Sequence, residues 1–213
     1  MKTDQLIDML STNVEPVKGG QVSKKLLWAV AIGGAASFCL MLATVGLRTA
    51  ATGGIQVRFL TLKLLFMLSL VSIGTALLMK LIRPGQQGRK LFTVIFLPFL
   101  AIGFAGIVGL ALEPSATWRQ TILGTQMVTC LFCIPLFAIV PFSALIWALR
   151  KGAPTNLKLT GAIAGLVAGA LGAAAYAFYC CDDSLPFIAL WYGGMVALCA
   201  WIGGMLGPKL LRW

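Results

Sequence analysis

The chain contains no histidine among its 213 residues, and acidic residues are scarce, with 6 Asp and Glu against 17 Lys and Arg. The lack of histidine excludes bis-histidine haem ligation, histidine metal ligands and histidine general-base catalysis. No Asp or Glu lies within a long apolar segment, whereas ion-coupled transporters usually bury such a group. The sequence also lacks a glycine-rich phosphate-binding loop. These absences argue against an enzyme, weaken the case for a transporter and predict no cofactor.

Apolar residues dominate the composition. They make up 59% of the chain, charged residues make up 11% and the mean hydropathy is +0.93, whereas a soluble domain is about 25% charged. Six segments supply the roughly 20 apolar residues that a membrane-spanning helix needs. They cover residues 26–46, 60–82, 91–112, 121–149, 157–179 and 186–206. We therefore predict an all-α, polytopic membrane protein in two parts, a short N-terminal segment (1–25) and a six-helix transmembrane bundle with short loops (26–213).

The basic residues are distributed unequally between the predicted loops. With the N-terminus inside, 13 of the 17 Lys and Arg residues face the cytoplasm, and only Arg48, Arg58 and Arg119 lie on the outer side. The positive-inside rule then places both termini in the cytoplasm of a bacterium, with the helices in its inner membrane. The same cations explain the net charge of +11 as contacts with lipid headgroups rather than with nucleic acid. Lys63 lies within the second segment, and we expect it to snorkel to the outer interface rather than to form part of a conduction path. Glu113, at the outer end of the third segment, is its candidate partner.

The positions of the cysteines suggest a thiol site on the outer side of the membrane. Cys180 and Cys181 precede two aspartates in the loop between the fifth and sixth segments, in a compartment that tolerates disulfides and exposes thiols to metals. The fourth segment is long and its start is polar, so that its buried part can begin near Cys130, at a depth similar to that of Cys180. We predict that Cys130 and Cys180 form a redox or soft-metal pair, with Cys133 and Cys181 as further candidates. The alternative is that the cysteines are small apolar core residues.

Glycines form a stripe on the fifth segment. Gly161, Gly165 and Gly169 recur every four residues and Gly172 follows. Such a smooth stripe favours close packing of helices in a membrane. We expect it to let the fourth and fifth segments shift against each other over a tight contact.

The N-terminal segment has the features of a short amphipathic helix. Thr3 can cap it, acidic residues follow in its first turns, and Leu6, Ile7 and Leu10 share one face. A helix of about ten residues is marginal in water on its own. We therefore expect this segment to become ordered on a partner groove or on the membrane surface.

Several short motifs follow one another along nearly the whole chain. They are Met-Lys-Thr-Asp-Gln-Leu-Ile-Asp-Met-Leu at 1–10 with Pro16-Val17, Gly46-Leu47-Arg48, Phe59 with Lys63, Arg83-Pro84-Gly85, Cys130 before Pro135, Arg150 with Gly152-Ala153-Pro154, Gly161 with Gly165, Cys180, and Trp191-Tyr192. In these motifs the chain resembles the NrsF-type membrane anti-sigma factors, which restrain extracytoplasmic-function sigma factors. It departs from the family pattern at Tyr179, where a histidine often precedes the cysteine, and in its additional thiols Cys133 and Cys181.

The resemblance implies a regulator rather than a catalyst. The N-terminal segment would hold an extracytoplasmic-function sigma factor at the cytoplasmic face and block its contact with core RNA polymerase, and a signal at the outer cysteines would release it. The implied sigma-binding residues are Thr3, Asp4, Leu6, Ile7, Asp8 and Leu10. The alternatives from other classes are a small metal or solute transporter and a membrane thiol oxidoreductase.

Overall fold

The computed structural model describes residues 21–47, 54–82, 93–152, 154 and 156–212. These residues form helices joined by short loops and contain no β-strand, which confirms the predicted all-α class. The helices are α1 (Gln21–Thr44), α2 (Gly54–Leu81), α3 (Phe96–Leu112), α4 (Trp118–Leu123), α5 (Met127–Leu149), α6 (Leu157–Ala177) and α7 (Leu185–Leu210). The predicted sigma-binding residues between Thr3 and Leu10 lie outside the described residues.

The apolar segments predicted from the sequence correspond to these helices. Within the described residues, α1, α2, α4 with α5, α6 and α7 give five segments long and apolar enough to cross a membrane, while α3 is apolar but has only 17 residues. Large apolar side chains also point away from the protein, such as Leu100, Phe104 and Leu112, which are 71%, 70% and 82% exposed. Such an outer surface matches hydrocarbon better than water.

The fourth predicted segment is not one continuous helix. Gly124 has a φ of +60° and separates α4 from α5. A Cβ atom there would also lie 2.6 Å from Asp182 Oδ2 and 2.7 Å from the ring of Phe187. Because only glycine combines this backbone conformation with so close an approach, the predicted fourth segment is interrupted after Leu123, although Trp118–Leu149 as a whole is long and apolar enough to cross a membrane. The helix α5 begins at Met127, three residues before Cys130.

Helix α6 is the centre of the bundle. It packs against α7, α5, α2 and α1, and most of its residues are buried. Its sequence is rich in Gly and Ala, so that neighbouring helices can approach from several sides.

The glycine stripe of α6 lies mainly against α7. A Cβ at Gly161 would overlap the carbonyl oxygen of Gly203, and a Cβ at Gly165 would overlap that of Cys199. Gly172 instead faces α5, where its Cβ would lie 2.8 Å from the carbonyl oxygen of Ile134. The close packing is thus confirmed, but the expected position of the whole stripe between the fourth and fifth segments is wrong. Residue spacing defines a smooth face and does not determine which helix covers it.

A proline in α5 creates the contact with α1. Pro141 has no N–H group, which leaves the carbonyl oxygen of Phe137 without its helical donor. The Ser37 hydroxyl of α1 donates to this oxygen at 2.5 Å. A Cβ at Gly33, one turn earlier in α1, would lie 2.8 Å from Pro141 Cα. The backbone hydrogen bond that Pro141 removes from α5 is therefore replaced by a hydrogen bond from α1, and the two helices pack together at this position.

Candidate functional site

The loop of residues 178–184, here called the α6–α7 loop, is tied to the start of α5. The Asp182 carboxylate accepts hydrogen bonds from the backbone N–H of Thr125 at 3.0 Å, from the Thr125 hydroxyl at 2.9 Å and from the backbone N–H of Gln126 at 2.7 Å. The first N–H groups of a helix have no partner within the helix, and its dipole favours a negative charge there. Asp182 therefore caps α5 from a distant loop and fixes the Cys180 segment to the helix that carries Cys130.

The next aspartate ties the same loop to α2. Lys63 Nζ lies 2.9 Å from Asp183 Oδ1 and donates to the carbonyl oxygen of Cys180 at 3.3 Å. It also lies 5.7 Å from the centroid of the Tyr192 ring. The Lys63 side chain is only 1% exposed, so the expectation that it snorkels to the interface is wrong. Glu113 is not its partner either, because the Glu113 carboxylate accepts from the Thr121 hydroxyl at 2.6 Å while the α6–α7 loop brings Asp183 to the lysine.

The structure brings the two predicted sensing cysteines to this end of the bundle. Cys130 and Cys180 are completely buried, and Cys130 lies in the first turn of the helix whose start Asp182, two residues after Cys180, caps. Cys133 is half-buried, Cys181 is exposed, and none of the chain's cysteines forms a disulfide. Burial raises the pKa of the Cys180 thiol, although the nearby Lys63 ammonium acts in the opposite direction. Cys180 is therefore a protonated thiol at neutral pH, and its sensing role stays a prediction.

Two buried tyrosines complete the site, and the sequence reasoning assigned neither of them to it. Tyr176 and Tyr192 are 0% exposed, and their ring centroids lie 6.1 Å apart. Among the described residues, neither phenol oxygen has a hydrogen-bond partner. The Trp191-Tyr192 motif pointed to this position without indicating a role.

The backbone of α7 explains how Tyr192 enters the site. Residues Ile188–Tyr192 form a π-helical segment, a local widening that is frequent at functional sites. The indole N–H of Trp191 donates to the carbonyl oxygen of Ile122 at 2.9 Å and so fixes this segment against α4. Its neighbour Tyr192 packs against Phe187 and lies over Lys63.

The polar cluster, as we call it, comprises Lys63, Cys130, Tyr176, Cys180, Asp183 and Tyr192. Its reactive groups are the thiols, which support oxidation or soft-metal binding. Among the described residues, no three Cys, Asp or Glu side chains are grouped so as to hold a metal ion.

Comparison with known proteins gives the family. Residues 10–213 match the NrsF family, described as negative regulator of sigma F. The chain is 28% identical over 214 aligned residues to the probable anti-sigma-F factor NrsF of Azospira oryzae and 29% identical over 214 residues to the anti-sigma-F factor NrsF of Caulobacter vibrioides, in both cases over the full length of both chains. No solved structure matches the chain. The resemblance found in the sequence motifs is thus confirmed, and the chain belongs to the NrsF family of negative regulators of sigma F.

Proposed function

We propose that this protein is a membrane-embedded anti-sigma factor that holds an extracytoplasmic-function sigma factor at the cytoplasmic face and releases it when the outer cysteines receive a signal. The observation that carries the proposal is the family match over residues 10–213, together with full-length relatives named anti-sigma-F factors. That family is a class of regulators and not a class of enzymes.

The distribution of charge supports an orientation in the membrane. One end of the bundle carries basic residues, including Arg150, Lys151 and Lys209, and the other end carries Glu113 and the acidic α6–α7 loop. A cytoplasmic basic end satisfies the positive-inside rule. The polar cluster then lies at the outer end, separated from the sigma factor by the thickness of the hydrocarbon core, about 30 Å.

The N-terminal segment is our proposed sigma-binding element. Its apolar face of Leu6, Ile7 and Leu10 would insert into a groove on the sigma factor, with Asp4 and Asp8 pairing with basic residues around that groove. Burying one Leu or Ile side chain contributes roughly 1.5 to 3 kcal/mol. Loss of such a contact weakens binding by at least about tenfold.

Titration of a peptide of residues 1–25 against candidate sigma factors tests this element. We expect Leu6→Ala and Ile7→Ala each to weaken binding by about tenfold or more and to raise target-gene expression in cells at unchanged membrane levels of the protein. Gln5→Ala, on the opposite face, is the matched control and should bind like the parent peptide. Full repression by a chain lacking residues 2–12 would end the sigma-binding assignment of this segment.

The signal is proposed to act on Cys130 and Cys180, as oxidation or as binding of a thiophilic metal. In oxidation, the two thiols would give two electrons and two protons to a peroxide, which leaves as water, and a sulfur–sulfur bond would form. A disulfide requires Cα atoms within about 7 Å, so its formation would pull the α6–α7 loop onto α5. We propose that this movement passes through the helix bundle to the cytoplasmic face.

Serine variants test the sensing step. Cys130→Ser and Cys180→Ser should each abolish the rise in target-gene expression that oxidants or thiophilic metals cause, whereas Cys39→Ser, at an exposed site on α1, should not. Cys133→Ser and Cys181→Ser show whether either additional thiol replaces a member of the pair. An intact response in the Cys130→Ser and Cys180→Ser double variant would make the pair structural.

A further inference from the structure

We propose that Lys63 is a positioning residue for Cys180, and that its ion pair with Asp183 keeps the α6–α7 loop closed over the buried thiol in the unsignalled state. The inference deepens the proposed function and rests on it. A charged side chain inside a membrane segment is costly and is usually retained for a functional reason. Lys63 is such a side chain, and it is 1% exposed.

One ammonium group holds the loop at two points. Lys63 Nζ contacts the carbonyl oxygen of Cys180 at 3.3 Å and the Asp183 carboxylate at 2.9 Å. These two partners flank the segment whose other aspartate, Asp182, caps α5. The two adjacent carboxylates therefore point to two different helices, and the loop is fixed between α2 and α5 with the Cys180 side chain enclosed.

The surroundings of the ion pair indicate how the loop opens. A buried ion pair is favourable only while both partners are present, because removal of one leaves an unpaired buried charge. The Asp183 side chain is 13% exposed and lines a cavity of about 150 Å³ together with Gln56, Leu60 and Phe178. Without its lysine, this carboxylate turns away from the mostly apolar cavity and towards the solvent that already reaches it. The loop follows this movement and uncovers Cys180.

The accessibility of Cys180 to a maleimide is the direct test. The experiment uses full-length protein in membranes with the additional change Cys181→Ser, so that the exposed neighbouring thiol cannot react. The protein is labelled with the maleimide, and mass spectrometry follows the modification of Cys180. We expect Lys63→Met and Asp183→Asn each to raise the labelling rate by roughly tenfold and to raise target-gene expression without an inducer. The double variant should raise the labelling rate by less than the product of the two single effects, since both changes remove the Lys63–Asp183 ion pair.

Two matched variants separate positioning from general stability. Lys63→Arg keeps the charge and its donors, so that labelling should stay close to the parent rate. Lys80→Met removes an exposed lysine at the far end of the same helix and should leave labelling and expression unchanged. A purely structural lysine would not give this pattern, in which the charge-retaining variant alone restores protection of the thiol.

The outcomes distinguish this inference from the proposed function. Unchanged labelling of Cys180 in Asp183→Asn overturns the inference, even if deletion of residues 2–12 still derepresses the target genes. Faster labelling without any change in expression supports the positioning role of Lys63 and contradicts signalling through this site. If Lys63→Met fails to accumulate in membranes, Asp183→Asn is used for the test. The Asp183 side chain is partly exposed, so its substitution is better tolerated than that of the buried lysine.

Discussion

The contact between α6 and α7 should tolerate no side chain at Gly165. A Cβ there would overlap the carbonyl oxygen of Cys199 and lie 3.1 Å from Gly203 Cα. Both are backbone atoms, so no side-chain rotation relieves the overlap and the helices have to separate. Overpacking of this kind costs about 1 to 3 kcal/mol. Gly165→Ala should therefore destabilise the protein although alanine is the better helix former.

Gly194 provides the matched control, because it lies in α7 and its added Cβ would meet no atom of the other described residues within 4 Å, apart from its chain neighbours and its own helix backbone. Here alanine should stabilise the helix by about 0.5 to 1 kcal/mol. The free energies of unfolding of Gly165→Ala and Gly194→Ala should thus differ by about 1.5 to 4 kcal/mol. At Gly34 the Cβ would lie 3.3 Å from the flexible end of Leu171, and Gly34→Ala should fall between the two.

Thermal unfolding in detergent, followed by circular dichroism, measures the difference. For a chain of about this size, 1 kcal/mol corresponds to roughly 2 to 4 °C in the midpoint temperature, so Gly165→Ala should melt at least roughly 3 °C below Gly194→Ala. Both variants should be compared at equal detergent and protein concentrations. Equal midpoints for the two would refute the reasoning that a backbone contact, rather than helix propensity, controls this position.

Three further predictions concern orientation, capping and thiol reactivity. Tags at both ends of the chain should report the cytoplasm and reporter fusions after Glu113 the outside, whereas an external C-terminus would contradict the six-span arrangement. Asp182→Ala should weaken the cap of α5 by about 1 kcal/mol, which a lower melting temperature would reveal and an unchanged one would disprove. Because burial raises the pKa of Cys180, its labelling should stay slow as the pH rises through about 8.5, the ordinary thiol value, while exposed Cys181 labels readily. Equal rates for the two thiols would be incompatible with this site.

The amino-acid sequence by itself determined the class of the protein and the approximate positions of its helices. Long apolar segments strongly favour helices, because a buried or lipid-facing backbone has to satisfy its own hydrogen bonds and a helix does so within the segment. The motifs along the chain likewise indicated the family. Local sequence also marked Lys63 and Cys180 as exceptional, one as a charge within an apolar run and the other as a thiol beside two acidic residues.

Only the tertiary structure decided which of these residues meet. The partner of Lys63 is Asp183, 120 positions away in the chain, because the α6–α7 loop folds back over α2. The sequence indicated Glu113 instead, because this residue lies at the outer end of the third predicted segment. Likewise, the glycine spacing predicted the smooth face of α6, but the contact of this face with α7 depends on how the helices are arranged around α6. Tyr192 enters the polar cluster through a π-helical segment that has no sequence signature. Such contacts between distant parts of the chain follow from packing, which residue patterns along one segment do not encode.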